Sequence, residues 1–288
     1  MSTPTLEFVQ AYYDERVEGK IRDFAQANPR IEAAIQLIAD WAPPNPRKIL
    51  EIGCGIGATS WRMARAWSQA EVIGADVSST SIEVARKCFQ LPNLSYRHGL
   101  IKEGVLVGTF DLVLLMDTYE HIPLEDRTSI HAAIRSLLSE EARLVLTFPT
   151  PTLQNYIRDR TPSDLQPIDE DVAIQDIVRL AEETGTRLLF YREVGIWHYG
   201  DYAHVVLGRS QSMAEVALRE YKPDGIAGLK QRIKRLLRRG EVPGTSLRDY
   251  LGSDVLRPRP RNVGGQFKVT TRERHRLASS WRSRGKID

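Results

Sequence analysis

Between residues 48 and 207 short apolar runs alternate with amphipathic stretches, and this alternation constrains the fold more than any other feature of the chain. KILEI (48–52), EVIGA (71–75), Leu94–Arg97, FDLVLLM (110–116) and ARLVLTF (142–148) read as strands. Ala58–Trp67, Ser81–Phe89, Glu125–Leu138 and Asp171–Thr184 read as the helices between and after them. RLLFYREV (187–194) and YAHVVL (202–207) follow with no helix between them and read as a closing hairpin. Such a series buries its apolar faces as a mostly parallel sheet with helices on both sides. Ligands of these sheets sit beyond the carboxyl ends of the strands. The chemistry is therefore expected just after Ile52, Ala75, Met116 and Phe148.

The flanks differ from this middle. Residues 5–40 carry Ile21, Phe24, Ile31, Ala34, Ile35 and Ile38 at helical spacing, and Pro43, Pro44 and Pro46 end that region. The expected division is an N-terminal helical cap (1–46), an α/β domain (47–210) and a basic helical C-terminal extension (211–288). Residues 211–288 hold 19 Lys and Arg against 8 Asp and Glu, whereas residues 1–210 hold 21 against 29. A basic amphipathic helix is expected over residues 225–239. An acidic body with a basic tail suggests two regions with different partners: the tail suits a phosphate-bearing partner such as an anionic membrane surface or glycolipid, another subunit, or RNA. Residues 149–170, punctuated by Pro149, Pro151, Pro162 and Pro167, read as a long loop over the site, with Tyr156, Gln166 and Asp169 facing an acceptor. No window approaches ~18 consecutive apolar residues, and the first residues lack a basic-then-apolar leader, so a cytoplasmic location is expected. Cys54 and Cys88 have neither metal-site nor disulfide spacing.

The sharpest local signal is LEIGCGIGATS (50–60). Gly53, Gly55 and Gly57 fall between a strand and a helix, where main-chain N–H groups can approach a ligand closely. Asp76 ends the next strand, 19 residues beyond Gly57, where a carboxylate can accept from both ribose hydroxyls. Gly53-x-Gly55-x-x-Ala58 also satisfies the dinucleotide fingerprint. Glu51 weighs against that reading: it would repel a pyrophosphate and suits a ligand with a cationic amino group.

Residues 48–148 resemble the class I, Rossmann-like S-adenosylmethionine-dependent methyltransferase family. LEIGCGIG is similar to that family's first motif, GADVS (74–78) to its second, FDLVLLMDTYEHIP (110–123) to its fourth-strand motif and ARLVLTFP (142–149) to its fifth. The resemblance implies a seven-stranded sheet with a reversed last hairpin. It implies that Glu51, Gly53, Gly55 and Gly57 surround the methionine part of S-adenosyl-L-methionine, that Asp76 binds the ribose, and that Val77, Gly99 and Leu100 border the adenine. Asp117 would lie near the reactive methyl, and Tyr13, beside Tyr12, resembles an aromatic pair that closes over the cofactor in some relatives.

Methyl transfer to a hydroxyl needs orientation and a base, a role suited to histidine. Asp117, Glu120 and His121 stand at i, i+3 and i+4, and on a helical turn they would share one face. Three roles stay open: His121 as general base oriented by a carboxylate, all three as ligands of a divalent cation such as Mg or Mn, or a loop brace. The triplet resembles the acid-x-x-Glu-His motif that binds metal in ubiquinone-pathway O-methyltransferases and small-RNA 2′-O-methyltransferases. Trp197, His198 and Tyr199 are candidates for the substrate wall, with His204 nearby. The leading expectation is O-methylation of a small-molecule, sugar or glycan hydroxyl. An RNA 2′-O-methyltransferase with a divalent metal and a non-catalytic cofactor-binding scaffold are the alternatives.

Overall fold

The computed structural model describes residues 4–209 and 267–283. Its centre is a seven-stranded sheet of order β3-β2-β1-β4-β5-β7-β6. The strands are β1 (Lys48–Ile52), β2 (Glu71–Asp76), β3 (Leu94–His98), β4 (Phe110–Met116), β5 (Leu138–Pro149), β6 (Arg187–Val194) and β7 (Tyr202–Gly208). The first five pair in parallel, and β7 runs antiparallel to both β5 and β6. The expected doubly covered sheet and reversed hairpin are both present. The order reverses between β1 and β4, so the crevice above their carboxyl ends is the natural ligand site.

The continuous apolar character of β4 follows from its two buried faces. Val113 and Leu115 pack with Leu144, Leu146, Ile134 and Ile177 on one side. Leu112 and Leu114 pack with Ile49, Val145, Ile38 and Met63 on the other. Helices α4 (Ala58–Ala66), α5 (Ser79–Cys88), α6 (Arg127–Leu137) and α8 (Ile174–Thr184) cover these faces.

Residues 5–40 are helical as expected, in three helices: α1 (Leu6–Asp14), α2 (Val17–Gln26) and α3 (Pro29–Trp41). The second break is written locally. Ala27 turns left-handed at φ 55°, and Asn28 accepts the Arg30 N–H as N-cap with Pro29 at the first helical position. Residues 149–170, expected as loop throughout, contain α7 (Pro151–Arg160). Thr150 caps it by accepting the Leu153 N–H, and Pro151 starts it where no N–H is needed.

The segment 257–276 lacks an evident core pattern, yet part of it is core. Phe267 is buried against Trp67, with ring centroids 5.1 Å apart. A helix α9 (Thr271–Ser283) packs on α2 and α5. Two buried guanidiniums fix it. Arg62 donates to Glu32 at 2.7 Å and to the Phe267 carbonyl at 2.8 Å. Arg274 donates to Glu32 at 2.8 Å and to the Phe24 carbonyl at 2.9 Å. Glu32→Gln removes the charge both share and is expected to cost about 1.5 kcal/mol. That lowers the melting temperature by roughly 3–6 °C for a domain of this size. A melt within ~1 °C of wild type would show that the guanidiniums do not depend on Glu32. The expected basic helix at 225–239 lies outside the described residues. Among the described residues no helix is long and apolar enough to cross a membrane.

Candidate active site

The glycine turn after β1 takes the left-handed conformations its sequence anticipated, with φ of 77° at Gly53 and 82° at Gly57. Its packing adds a second reason for glycine. A Cβ on Gly53 would strike the Thr118 side chain, and one on Gly57 would lie 2.5 Å from the Tyr96 ring. The turn is thus wedged between the loop after β4 and strand β3.

Two carboxylates bracket it. Glu51 is buried on β1 and accepts a hydrogen bond from Ser60 on α4. Burial pushes its carboxyl up to about 8, against the pull of the Ser60 hydrogen bonds, with the neighbouring Asp76 adding to the rise. Asp76 accepts the Gly55 N–H at 2.7 Å and the Ser78 N–H at 2.8 Å. The Gly99 N–H donates to the Asp76 carbonyl at 2.9 Å, and His98 bonds the Val77 carbonyl at 2.9 Å. Asp76, Val77 and Gly99 therefore meet at one end of the sheet, with Leu100 exposed beside them.

The loop after β4 differs from its expected form. The helical turn is a short 3₁₀ turn, Tyr119–His121, and Asp117 stands outside it with φ 51°. Asp117 still interacts with both neighbours: burial raises its carboxyl against the pull of Arg30 and His121, and Asp117 in turn adds to the rise that burial gives Glu120. The Asp117 carboxylate is held 2.5 Å from Arg30 of α3, and Arg30 also stacks over Tyr202 at 5.9 Å. Among the described residues no three His, Cys, Asp or Glu side chains converge in a way that could hold an ion.

Glu120 and His121 remain together. The His121 Nε2 lies 3.7 Å from Glu120 Oε1, and its Nδ1 lies 2.6 Å from the Ile168 carbonyl and 3.2 Å from Asp169 Oδ1. A carbonyl can only accept, so Nδ1 carries the proton and Nε2 presents its lone pair when the ring is neutral. Burial alone would lower the His121 pKa. Glu120, Asp169 and the Ile168 carbonyl outweigh it and raise the group to about 9. Burial pushes Glu120 up to about 7, and its Oε2 is buried with no hydrogen-bond partner. The turn is anchored below through Tyr119, whose hydroxyl meets His131 Nε2 at 2.9 Å, and His131 Nδ1 meets Glu183 at 2.6 Å.

The cap helices close the site from above. Asp14 ends α1 and accepts the Ser78 hydroxyl at 2.6 Å and the Thr80 N–H at 3.0 Å, pinning the cap to the start of α5. Tyr13 lies 6.1 Å from the His121 ring. On the far side Tyr156 of α7 packs 5.8 Å from His198, and Trp197 and Tyr199 are exposed. His204 is buried in β7 and depressed to about 4 by burial, with Arg192 nearby, which marks a neutral core residue rather than a substrate contact. Arg30, Asp14 and the pairing of Asp169 with His121 have no motif in the sequence, and Ser60, inside the glycine motif, is not singled out by it.

Comparison with known proteins agrees with this geometry. A model of the methyltransferase domain matches residues 49–141. The ubiquinone biosynthesis O-methyltransferase of Actinobacillus pleuropneumoniae is 35% identical over 119 residues, covering 38% of this chain and 49% of that protein. The mitochondrial ubiquinone biosynthesis O-methyltransferase of Schizosaccharomyces pombe is 37% identical over 112 residues, covering 37% of this chain and 39% of that one. The chain thus spans half or less of the length of these curated relatives. The carboxy-S-adenosyl-L-methionine synthase of Alteromonas mediterranea is 27% identical over 213 residues, covering 65% of this chain and 87% of that one. In fold, the chain is similar to magnesium protoporphyrin IX methyltransferase from Synechocystis PCC 6803 with bound SAH, at a TM-score of 0.55 and 19% identity, covering 71% of this chain and 99% of that one. Residues 49–141 thus match a methyltransferase domain, set in a sheet whose fold is that of S-adenosylmethionine-dependent methyltransferases.

Proposed function

We propose that this chain binds S-adenosyl-L-methionine and methylates an oxygen of a small hydroxylated acceptor. The observation that carries the reading is the bracket of Glu51 and Asp76 around the glycine turn, with Glu120 and His121 across the crevice from it. The donor set fits the cofactor. Two carboxylates suit a ligand with an amino group, a sulfonium and ribose hydroxyls, and both would repel a pyrophosphate. When bound, the cofactor supplies an electrophilic methyl group.

The chain's own residues supply the rest. Asp76 accepts from the ribose hydroxyls, Glu51 faces the amino group, and Val77, Gly99 and Leu100 border the adenine. The neutral Nε2 of His121 accepts the acceptor's hydroxyl proton, while Ile168 and Asp169 hold the ring in that tautomer. Glu120 Oε2 offers a buried acceptor beside that proton's path. Asp117, tied to Arg30, shapes the loop. Tyr156, Trp197, His198 and Tyr199 form the outer wall for the acceptor. The RNA alternative leaned on the metal triplet and the basic tail. The small-molecule acceptor is preferred on the aromatic rings near the candidate base and wall, with Tyr13 6.1 Å from His121 and Tyr156 5.8 Å from His198. The names of the ubiquinone O-methyltransferase relatives also support it.

Titration calorimetry tests the cofactor assignment. Heat is expected with S-adenosylhomocysteine (SAH) or S-adenosylmethionine and none with a nicotinamide dinucleotide; the reverse would overturn it. The same measurement reads Glu51. Its carboxyl is raised to about 8 in the free protein, and a ligand ammonium favours the ionised form. Binding below pH 8 should therefore release a proton, and affinity should climb with pH until about 8 and then level off. Titrations in two buffers of different ionisation enthalpy would count that proton. A count of zero at neutral pH would mean Glu51 is ionised before the ligand arrives.

A further inference from the structure

We propose that Lys20 of α2 is the residue that reads the carboxylate of the bound cofactor; the assignment rests on the methyltransferase reading above. The zwitterionic methionine end carries one anionic group, and a buried acid on β1 already answers its ammonium. The carboxylate needs a cation over the glycine turn, and Lys20 is placed there. Its Nζ and Cδ lie 3.5 Å from the point a Cβ would occupy on Gly55, so the ammonium hangs directly above the turn. Its ammonium meets the Ser81 hydroxyl at 3.5 Å and the face of the Tyr13 ring at 5.0 Å. Lys20 forms no ion pair among the described residues.

Its placement is built rather than incidental. The hydrogen bonds of Asp14 to Ser78 and Thr80 fasten the end of α1 to the start of α5, and Lys20 enters from the helix that follows. The other cation the cap offers near the crevice, Arg30, is engaged with Asp117 at 2.5 Å. An ammonium at the cap also explains how closing the cap would be coupled to occupancy: a carboxylate beneath it gives α2 a charge-assisted contact that an empty site lacks.

The test compares SAH with its decarboxylated analogue by calorimetry on the full chain. Wild type is expected to prefer SAH by roughly tenfold or more, the scale of one charge-assisted contact. Lys20→Met should weaken SAH by that factor while leaving the analogue unchanged, and Lys20→Arg should keep most of the preference. Melting temperatures report that the variants fold, and Lys20 is only half-buried. Three results would overturn the proposal: Lys20→Met binding both ligands as wild type does, Lys20→Met binding SAH more tightly because the lysine only fills the groove, or the preference vanishing in Arg30→Met instead. If wild type gives no heat with either ligand, the cofactor reading itself fails and the assignment falls with it.

Discussion

Asp76→Ala is expected to weaken SAH binding by about a hundredfold or more. On the proposed reading the carboxylate accepts from two ribose hydroxyls, and hydrogen bonds to a charged group contribute roughly 1.5–3 kcal/mol each. Two at the lower end come to about 3 kcal/mol, or a factor near 150. The same side chain accepts the N–H groups of Gly55 and Ser78 at 2.7 and 2.8 Å. Removing it also leaves two donors unpaired and frees the loops on both sides of the ligand, so the loss should exceed the ribose contacts alone. Asp76→Asn separates these effects. It keeps one acceptor oxygen for a backbone N–H, loses the charge, and turns a donor toward the other; its binding should fall between wild type and alanine. Calorimetric binding by Asp76→Ala within threefold of wild type would remove Asp76 from the cofactor site.

The parts of this site that were legible in the sequence are those whose neighbours in space are also neighbours in the chain. The glycine turn, Glu51 and Asp76 lie at strand ends, and a strand end is visible as the point where an apolar run stops. The sheet was readable for the same reason: β4 is apolar at nearly every position because Leu112 and Leu114 face one core and Val113 and Leu115 the other. Where the chemistry depends on distant segments, the sequence carried no mark. Arg30 reaches Asp117 across 87 residues, and nothing about an arginine near the start of a helix announces a partner. Asp169 meets His121 only because residues after α7 fold back, with the Glu170 N–H bonding the Glu120 carbonyl at 2.9 Å.

Local conformation was hidden where it broke a residue's usual habit. Asp117 adopts a positive φ that aspartate tolerates but seldom uses. That dihedral places it outside the 3₁₀ turn of Tyr119–His121, where its carboxylate meets Arg30. Helix α7 carries Arg158, Asp159 and Arg160 and buries only Gln154, so it shows no apolar stripe. Its one signal is the pair Thr150-Pro151, an N-cap followed by a proline at the first position, where proline starts a helix instead of breaking one. Phe267 was masked by a run of arginines and prolines before it. An isolated aromatic has no period, and only contact with Trp67 reveals its place.

His121 carries the second large expectation. If its Nε2 is the base, His121→Ala should lower turnover by roughly a hundredfold or more while leaving SAH affinity near wild type. The pH dependence sharpens this. With a pKa of about 9, only about one His121 in a hundred is neutral at pH 7. Turnover should therefore rise close to tenfold per pH unit through neutrality and level off near pH 9. Folding runs the other way: the raised pKa adds stability that is complete below about 6.5 and disappears as pH climbs through about 9. Asp169 decides between a base and a brace. Its carboxylate, 3.2 Å from Nδ1, is one of the groups that raise His121, so Asp169→Asn lowers that pKa. For a base, the plateau then moves to lower pH, and the variant turns over faster than wild type at pH 7. For a brace that only holds the loop through Ile168, weakening the Asp169 contact can only slow the enzyme, at every pH. An Asp169→Asn profile that is uniformly depressed and unshifted would assign His121 to holding the loop and leave the proton to another acceptor.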